Sequence, residues 1–204
     1  MSNVGILAFG SIITDPKDEI INGTLEIHKN YTTPFKIEFA RKSSSRENAP
    51  TLAVLESGSS VKGQIFVLKD EISLSEAKNI LYRREVNKVG QADVYIASKV
   101  KWMEIRELED KTICDLIIYA SMSPNIENPS ALLLAELAIE SAKSLKNHTV
   151  QGRRDGIQYL FDVKKMGIKT PLMASYENEL CRLLEVLNLE EALQKTSLIT
   201  KKLK

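Results

Sequence analysis

The sequence predicts an α+β protein: a small mixed β-barrel or curved sheet with one inserted helix, followed by a C-terminal helical extension. Three observations predict it. Runs of β-forming residues crowd the first 120 positions, a single capped helix interrupts them, and from Ser130 onward the apolar residues recur at helical spacing. The 204 residues can bury one sizeable core, roughly 70% of the unfolded surface. The expected division is a domain over residues 1–150 and a helical extension over 151–204 packed on it.

The first element is "VGILAF", residues 4–9, an unbroken apolar run ended by Gly10, as a central strand buried on both faces would be. "PFKIEFAR" (34–41) alternates Phe35, Ile37 and Phe39 against Lys36, Glu38 and Ala40, which is period two. "TLAVLE" (51–56) and "VKGQIFVLK" (61–69) are rich in β-formers, with "SSSR" and "SGSS" as hairpin loops, so a meander is expected. "SLSEAKNILYRRE" (73–85) opens with Ser73 and has Glu76 three residues on, a capping box, with Leu74, Ala77, Ile80 and Leu81 on one face of a helix. Two more strands are expected near 93–102 and 113–120, the second after the turn-like "EDKT". Four helical segments follow, over 130–145, 154–167, 174–187 and 189–202.

Charge and composition exclude several functions. With 28 basic and 27 acidic residues the net charge is +1, and no basic stripe exists to track phosphates, so no nucleic-acid partner is expected. The absence of a basic segment followed by an apolar one at the start, and of any run of about 18 apolar residues, leads to the expectation of a soluble, cytoplasmic protein with no membrane partner. Cys114 and Cys181 lack C-x-x-C spacing and are expected as buried thiols; with His28 and His148 they offer no metal-ligand pair, so no metal is expected. Ser11 follows a glycine at a strand end but lacks the second glycine of G-x-S-x-G, and no histidine stands in a triad-like setting.

Two features remain. In "AFGS", a glycine turn after a buried strand exposes consecutive N–H groups of Gly10, Ser11 and Ile12 that can hold an anion or a polarised carbonyl; an ordinary strand-ending turn is the plain alternative. In "LYRREVNKVG", Glu85 ends the capped helix, where the macrodipole disfavours a carboxylate, a setting suited to an acid/base residue. The plain alternative there is a solvated Arg/Glu cluster.

Together "AFGSI", the glycine-bearing strand "VKGQIFVL" and the helix closing on "LYRRE" resemble the γ-glutamylcyclotransferase-like superfamily. Its members begin with a Tyr-Gly-Ser-Asn or Tyr-Gly-Ser-Leu turn and place an essential glutamate after the helix that follows the glycine-bearing strand. "RKSSSRENAPTLAV" and "IIYASM" are similar to family segments too, and the resemblance covers roughly residues 4–145. It implies Phe9, Gly10, Ser11 and Ile12 as the substrate-binding turn and Glu85 as the catalytic acid/base. Phe9 stands where the family has Tyr, and Ile12 where it has Asn or Leu. Tyr119, ending "DLIIY", resembles a family tyrosine whose hydroxyl enters the pocket, and a core aromatic is its alternative.

The activity implied is conversion of a γ-glutamyl amide into 5-oxoproline with release of the amine, without cofactor, the partner being a small-molecule γ-glutamyl substrate. Arg41 and Arg46 are either solvated or within reach of the substrate carboxylate. Arg83 and Arg84 are expected to turn away from Glu85, because a cation bound to a general acid/base opposes its proton transfer. The rival expectations are a non-catalytic binding or regulatory module on the same fold, and an interaction protein acting through its C-terminal helices. The sequence leaves the oligomeric state open.

Overall fold

The computed structural model describes residues 3–144 and 154–202; His148 lies outside them. The fold is mixed α+β, with a mixed five-stranded sheet, a two-stranded sheet and seven α-helices among the described residues. The chain forms two compact units, Met1–Pro34 with Val61–Ser123, and Phe35–Ser60 with Pro124–Lys204. The units interleave along the chain, where the sequence had suggested a single boundary at residue 150. No described helix is long and apolar enough to cross a membrane.

In the first unit β1 (Val4–Ala8) is the central strand, buried at all five positions as its apolar run requires. It runs parallel to β7 (Cys114–Met122), with Ile6 beside Ile118, and antiparallel to β5 (Lys62–Leu68), with Ile6 opposite Phe66. β2 (Thr24–Thr32) and β6 (Met103–Asp110) form the two edges, giving the order β2-β5-β1-β7-β6. This is not the expected meander, and the sheet is open rather than a closed barrel. Its edges nevertheless approach each other: Tyr31 of β2 donates to Asp110 of β6 at 3.0 Å. Burial and then the Asp110 carboxylate push the Tyr31 hydroxyl up to about 12.

One face of this sheet carries Ile6, Ala8, Ile118 and Ala120 into a core with Ile80 and Leu81 of α3 (Leu74–Glu85). The Ser73 hydroxyl caps α3 by accepting from Glu76 N at 3.2 Å, as the sequence predicts. Two short helices, α1 (Ser11–Thr14) and α2 (Asp18–Gly23), were not foreseen, nor was β2. The expected strand over 93–102 is instead irregular, with a 3-10 turn at Ala97–Lys99. Asn79 Oδ1 of α3 takes the Tyr95 N–H at 2.9 Å, and the Tyr95 hydroxyl takes the Ile105 N–H at 3.0 Å. These side-chain bonds replace a ladder, and β6 starts only where buried Met103 and Ile105 alternate with exposed Glu104 and Arg106.

In the second unit β3 (Ile37–Ser43) and β4 (Ala49–Val54) form an antiparallel hairpin across the Ser44–Arg46 turn. It clusters with α4 (Ala131–Lys143), α5 (Gly156–Lys165), α6 (Met173–Leu184) and α7 (Leu189–Lys202), the four helices predicted beyond Ser130. Phe39 meets Tyr176 edge-on at 5.3 Å. Glu38, the polar partner in the predicted alternation, is buried; it accepts from Thr170 Oγ1 at 2.5 Å and Leu172 N at 2.9 Å. Cys114 is buried as expected, but Cys181 is only half-buried on α6; desolvation pushes both thiols up.

Candidate active site

The turn after β1 exists because of Gly10, whose φ of 68° and ψ of −138° lie where a Cβ is scarcely tolerated. The chain passes from β1 directly into α1, with Ile13 N donating to the Gly10 carbonyl at 3.1 Å. Gly63 on β5 completes the setting, since a Cβ there would lie 2.5 Å from the Ala8 carbonyl oxygen. Of the predicted turn residues, Phe9 and Ser11 are half-buried, Gly10 is buried, and Ile12 sends its side chain into the core rather than toward a ligand.

Glu85 comes to this turn through its neighbour. Arg84 Nη1 donates to Glu85 Oε1 at 2.9 Å, and the two side chains are only 9% and 10% exposed. Arg84 Nη2 donates to the Ser11 hydroxyl at 3.3 Å and to the Asp15 carbonyl at 2.8 Å, and Nε donates to the same carbonyl at 3.1 Å. The expectation that Arg84 turns away is therefore overturned. The physical cause is the C-terminus of α1: a four-residue helix leaves carbonyls without partners, and the Arg84 guanidinium caps the one at Asp15. Glu85 then supplies the countercharge that a nearly desolvated guanidinium requires.

Arg83 does turn away from Glu85, but not into solvent. It is 8% exposed, with Nε donating to Glu19 at 2.8 Å, Nη2 to Glu76 at 2.6 Å and Nη1 to the Asp93 carbonyl at 3.2 Å. Desolvation works against the Arg83 charge, but the Glu19 and Glu76 hydrogen bonds outweigh it and raise the group. The Arg83 hydrogen bond in turn holds Glu76 below the usual carboxylate value. Glu19 also accepts from Gly90 N, so Arg83 and Glu19 fasten the 87–93 loop to α2 and α3.

Tyr119 is not brought to Glu85. Its neighbours Ile118 and Ala120 join the core beneath α3, so strand alternation sends Tyr119 to the opposite face, where it stands in register with Arg106 and bonds to it. Arg41 and Arg46 belong to the second unit; both are half-buried, and the Arg46 guanidinium lies 4.9 Å from the Tyr159 ring centroid. An open cavity of about 580 Å³ is lined by Tyr82, Asp93, Val94, Ile96, Lys99 and Val100, among others, and by none of the turn residues or Glu85. Among the described residues no cluster of three or more His, Cys, Asp or Glu could hold a metal ion.

What sequence reasoning missed is Arg84. The adjacency "RRE" showed that an arginine could meet Glu85; only the fold shows that α1 needs it. The comparisons with protein-family models, with curated proteins and with solved structures find no match for this chain.

Proposed function

We propose that the chain is a γ-glutamylcyclotransferase-like enzyme that releases 5-oxoproline from a γ-glutamyl amide or peptide without a cofactor. The observation that carries this reading is the convergence of Ser11, Arg84 and Glu85 at the glycine turn, 73 and 74 positions apart in sequence, with the carboxyl group only 10% exposed. The α-amino nitrogen of the substrate attacks its own γ-carbonyl carbon, so the new C–N bond closes a five-membered ring and the amide C–N bond breaks. Holding the chain curled supplies part of the roughly 7–11 kcal/mol available from orientation. Glu85 takes the proton from the attacking amine and returns it to the leaving nitrogen, so the products are 5-oxoproline and a free amine. Donors at the Gly10–Ser11 turn hold the γ-glutamyl part.

The Arg84–Glu85 ion pair supports a second reading, a non-catalytic small-molecule binding or regulatory module, because the carboxylate that catalysis would use is already engaged by a neighbouring guanidinium. A panel of glutathione, γ-glutamyl dipeptides and γ-glutamylamines assayed for 5-oxoproline separates the two. For the enzyme, Glu85→Gln lowers release by about 10²–10⁴ while circular dichroism reports an intact fold. No release by the wild-type chain across the panel counts against the enzyme and moves the weight to the binding module.

A further inference from the structure

We propose that the open cavity of about 580 Å³ beside α3 binds a small organic anion with an apolar body, an arylalkanoate in chemical class, whose carboxylate pairs with Lys99. Neither the glycine turn nor Glu85 lines this cavity, so the inference goes beyond the γ-glutamyl reading and does not rest on it. The volume falls within the roughly 300–1,000 Å³ of small-molecule sites.

The cavity is built by residues 86–102, which join α3 to β6 with no regular structure beyond turns and the 3-10 turn at Ala97–Lys99. So long a connection without a helix or strand of its own is usually functional. Polar bonds fix its course. Gly90 N donates to Glu19 of α2, Lys88 Nζ donates to Asp93 Oδ1, Arg83 Nη1 donates to the Asp93 carbonyl at 3.2 Å, and Tyr95 N donates to Asn79 Oδ1 at 2.9 Å. Over this extended stretch the side chains alternate: Tyr95 turns inward onto the hydrophobic core, its ring 5.7 Å from that of Tyr82, so Val94 and Ile96 turn the other way, 55% and 39% exposed. They line the cavity together with Tyr82 and Val100, which reach it from the edge of the core. A loop free to collapse would bury two such side chains. The anchors hold them on the wall of a hollow instead, where an apolar ligand would cover them.

Charge selects the polar end of that ligand. Of the two charged residues lining the cavity, Asp93 is matched by Lys88, and its carbonyl by Arg83. Lys99, exposed on the 3-10 turn, is the charge left to face a ligand. An anion is thereby favoured over a neutral molecule, by the modest amount an exposed ammonium gives, and over a cation by more.

The test titrates four probes calorimetrically into the full chain: phenylbutanoate, phenylbutanol, phenylbutylamine, and butanoate without the ring. Phenylbutanoate is expected to bind the wild type about twofold to fivefold more tightly than the alcohol, and at least about tenfold more tightly than butanoate. In Lys99→Gln the advantage over the alcohol disappears while the affinity for the alcohol is unchanged. Ile96→Asn weakens both aromatic probes together, by about threefold or more. Circular dichroism checks both variants, and Val94→Asn serves in place of Ile96→Asn if that chain does not fold. No binding of phenylbutanoate, a preference for the amine, wild-type affinity in Ile96→Asn, or an undiminished preference for the carboxylate in Lys99→Gln overturns the proposal. Self-association of the wild type that Ile96→Asn abolishes, with no probe bound, also overturns it and gives the cavity to a second copy of the chain.

Discussion

Arg83 and Arg84 are consecutive, carry the same group and are withdrawn from water to the same 9%, yet they sit in different kinds of surroundings. Arg83 meets two carboxylates and a backbone carbonyl from three parts of the first unit. Its partners converge on it from α2, α3 and the loop after α3, and they leave it as a structural node. Arg84 meets one carboxylate from its own neighbour, the Ser11 hydroxyl at the start of α1 and the Asp15 carbonyl just beyond its end. The contrast shows that two adjacent guanidinium groups of equal burial are held by different kinds of partner.

The largest effect expected from this contrast is on stability. Arg83→Met removes the shared cation from Glu19 and Glu76 and is expected to cost about 2–4 kcal/mol, below the range for a fully buried pair because Glu76 is partly solvated. Chemical denaturation measures it. The Arg84–Glu85 pair should be undisturbed in any Arg83→Met chain that remains folded, because the two guanidinium groups share no acceptor. A cost below about 1 kcal/mol breaks the reading of Arg83 as a structural node.

The next effect is a pH dependence that belongs to the Arg83 node. Its hydrogen bond holds Glu76 below its ordinary value of 4.5 in the folded chain. A carboxyl group depressed on folding contributes stability that is fully present above the unfolded value and is lost as pH falls through the folded one. Thermal unfolding followed from pH 6 downward should therefore show a steeper acid decline in the wild type than in Arg83→Met. Parallel declines would mean that Glu76 is not what Arg83 holds.

The same contrast explains what the sequence could show. The buried run of β1, the Ser73 cap of α3 and the four helices beyond Ser130 were legible because each is written in local periodicity or a cap. β2 was not, since most of its residues are exposed and Leu25 and Ile27 face water, so its pattern points to no core. α1 and α2, at four and six residues, are too short to show a helical period. Interleaving of the units depends on β3 pairing only with β4, a choice of partner that no strand records in its own residues. At the candidate site, Gly10, Ser11 and Glu85 could be picked out by residue type and spacing. Arg84 was misjudged because its role comes from the unpartnered Asp15 carbonyl of a helix the sequence did not reveal. Tyr119 stayed divided between a pocket hydroxyl and a core aromatic because register alone decides which face of β7 it occupies, and there it is buried.

The smallest expected effect lies at a buried hydroxyl rather than at a buried cation. Tyr176 in the second unit carries unfilled polar capacity: its side chain is fully buried, its hydroxyl has no partner among the described residues, and burial pushes that hydroxyl well above its usual value. Enclosed against Phe39, the hydroxyl can receive nothing from solvent, and its unmet hydrogen bond is simply a cost of desolvation. Tyr176→Phe keeps the ring contact and removes that cost, so stability should stay level or rise by up to about 1 kcal/mol. A fall of more than about 1 kcal/mol on denaturant titration would show that the hydroxyl is satisfied in solution.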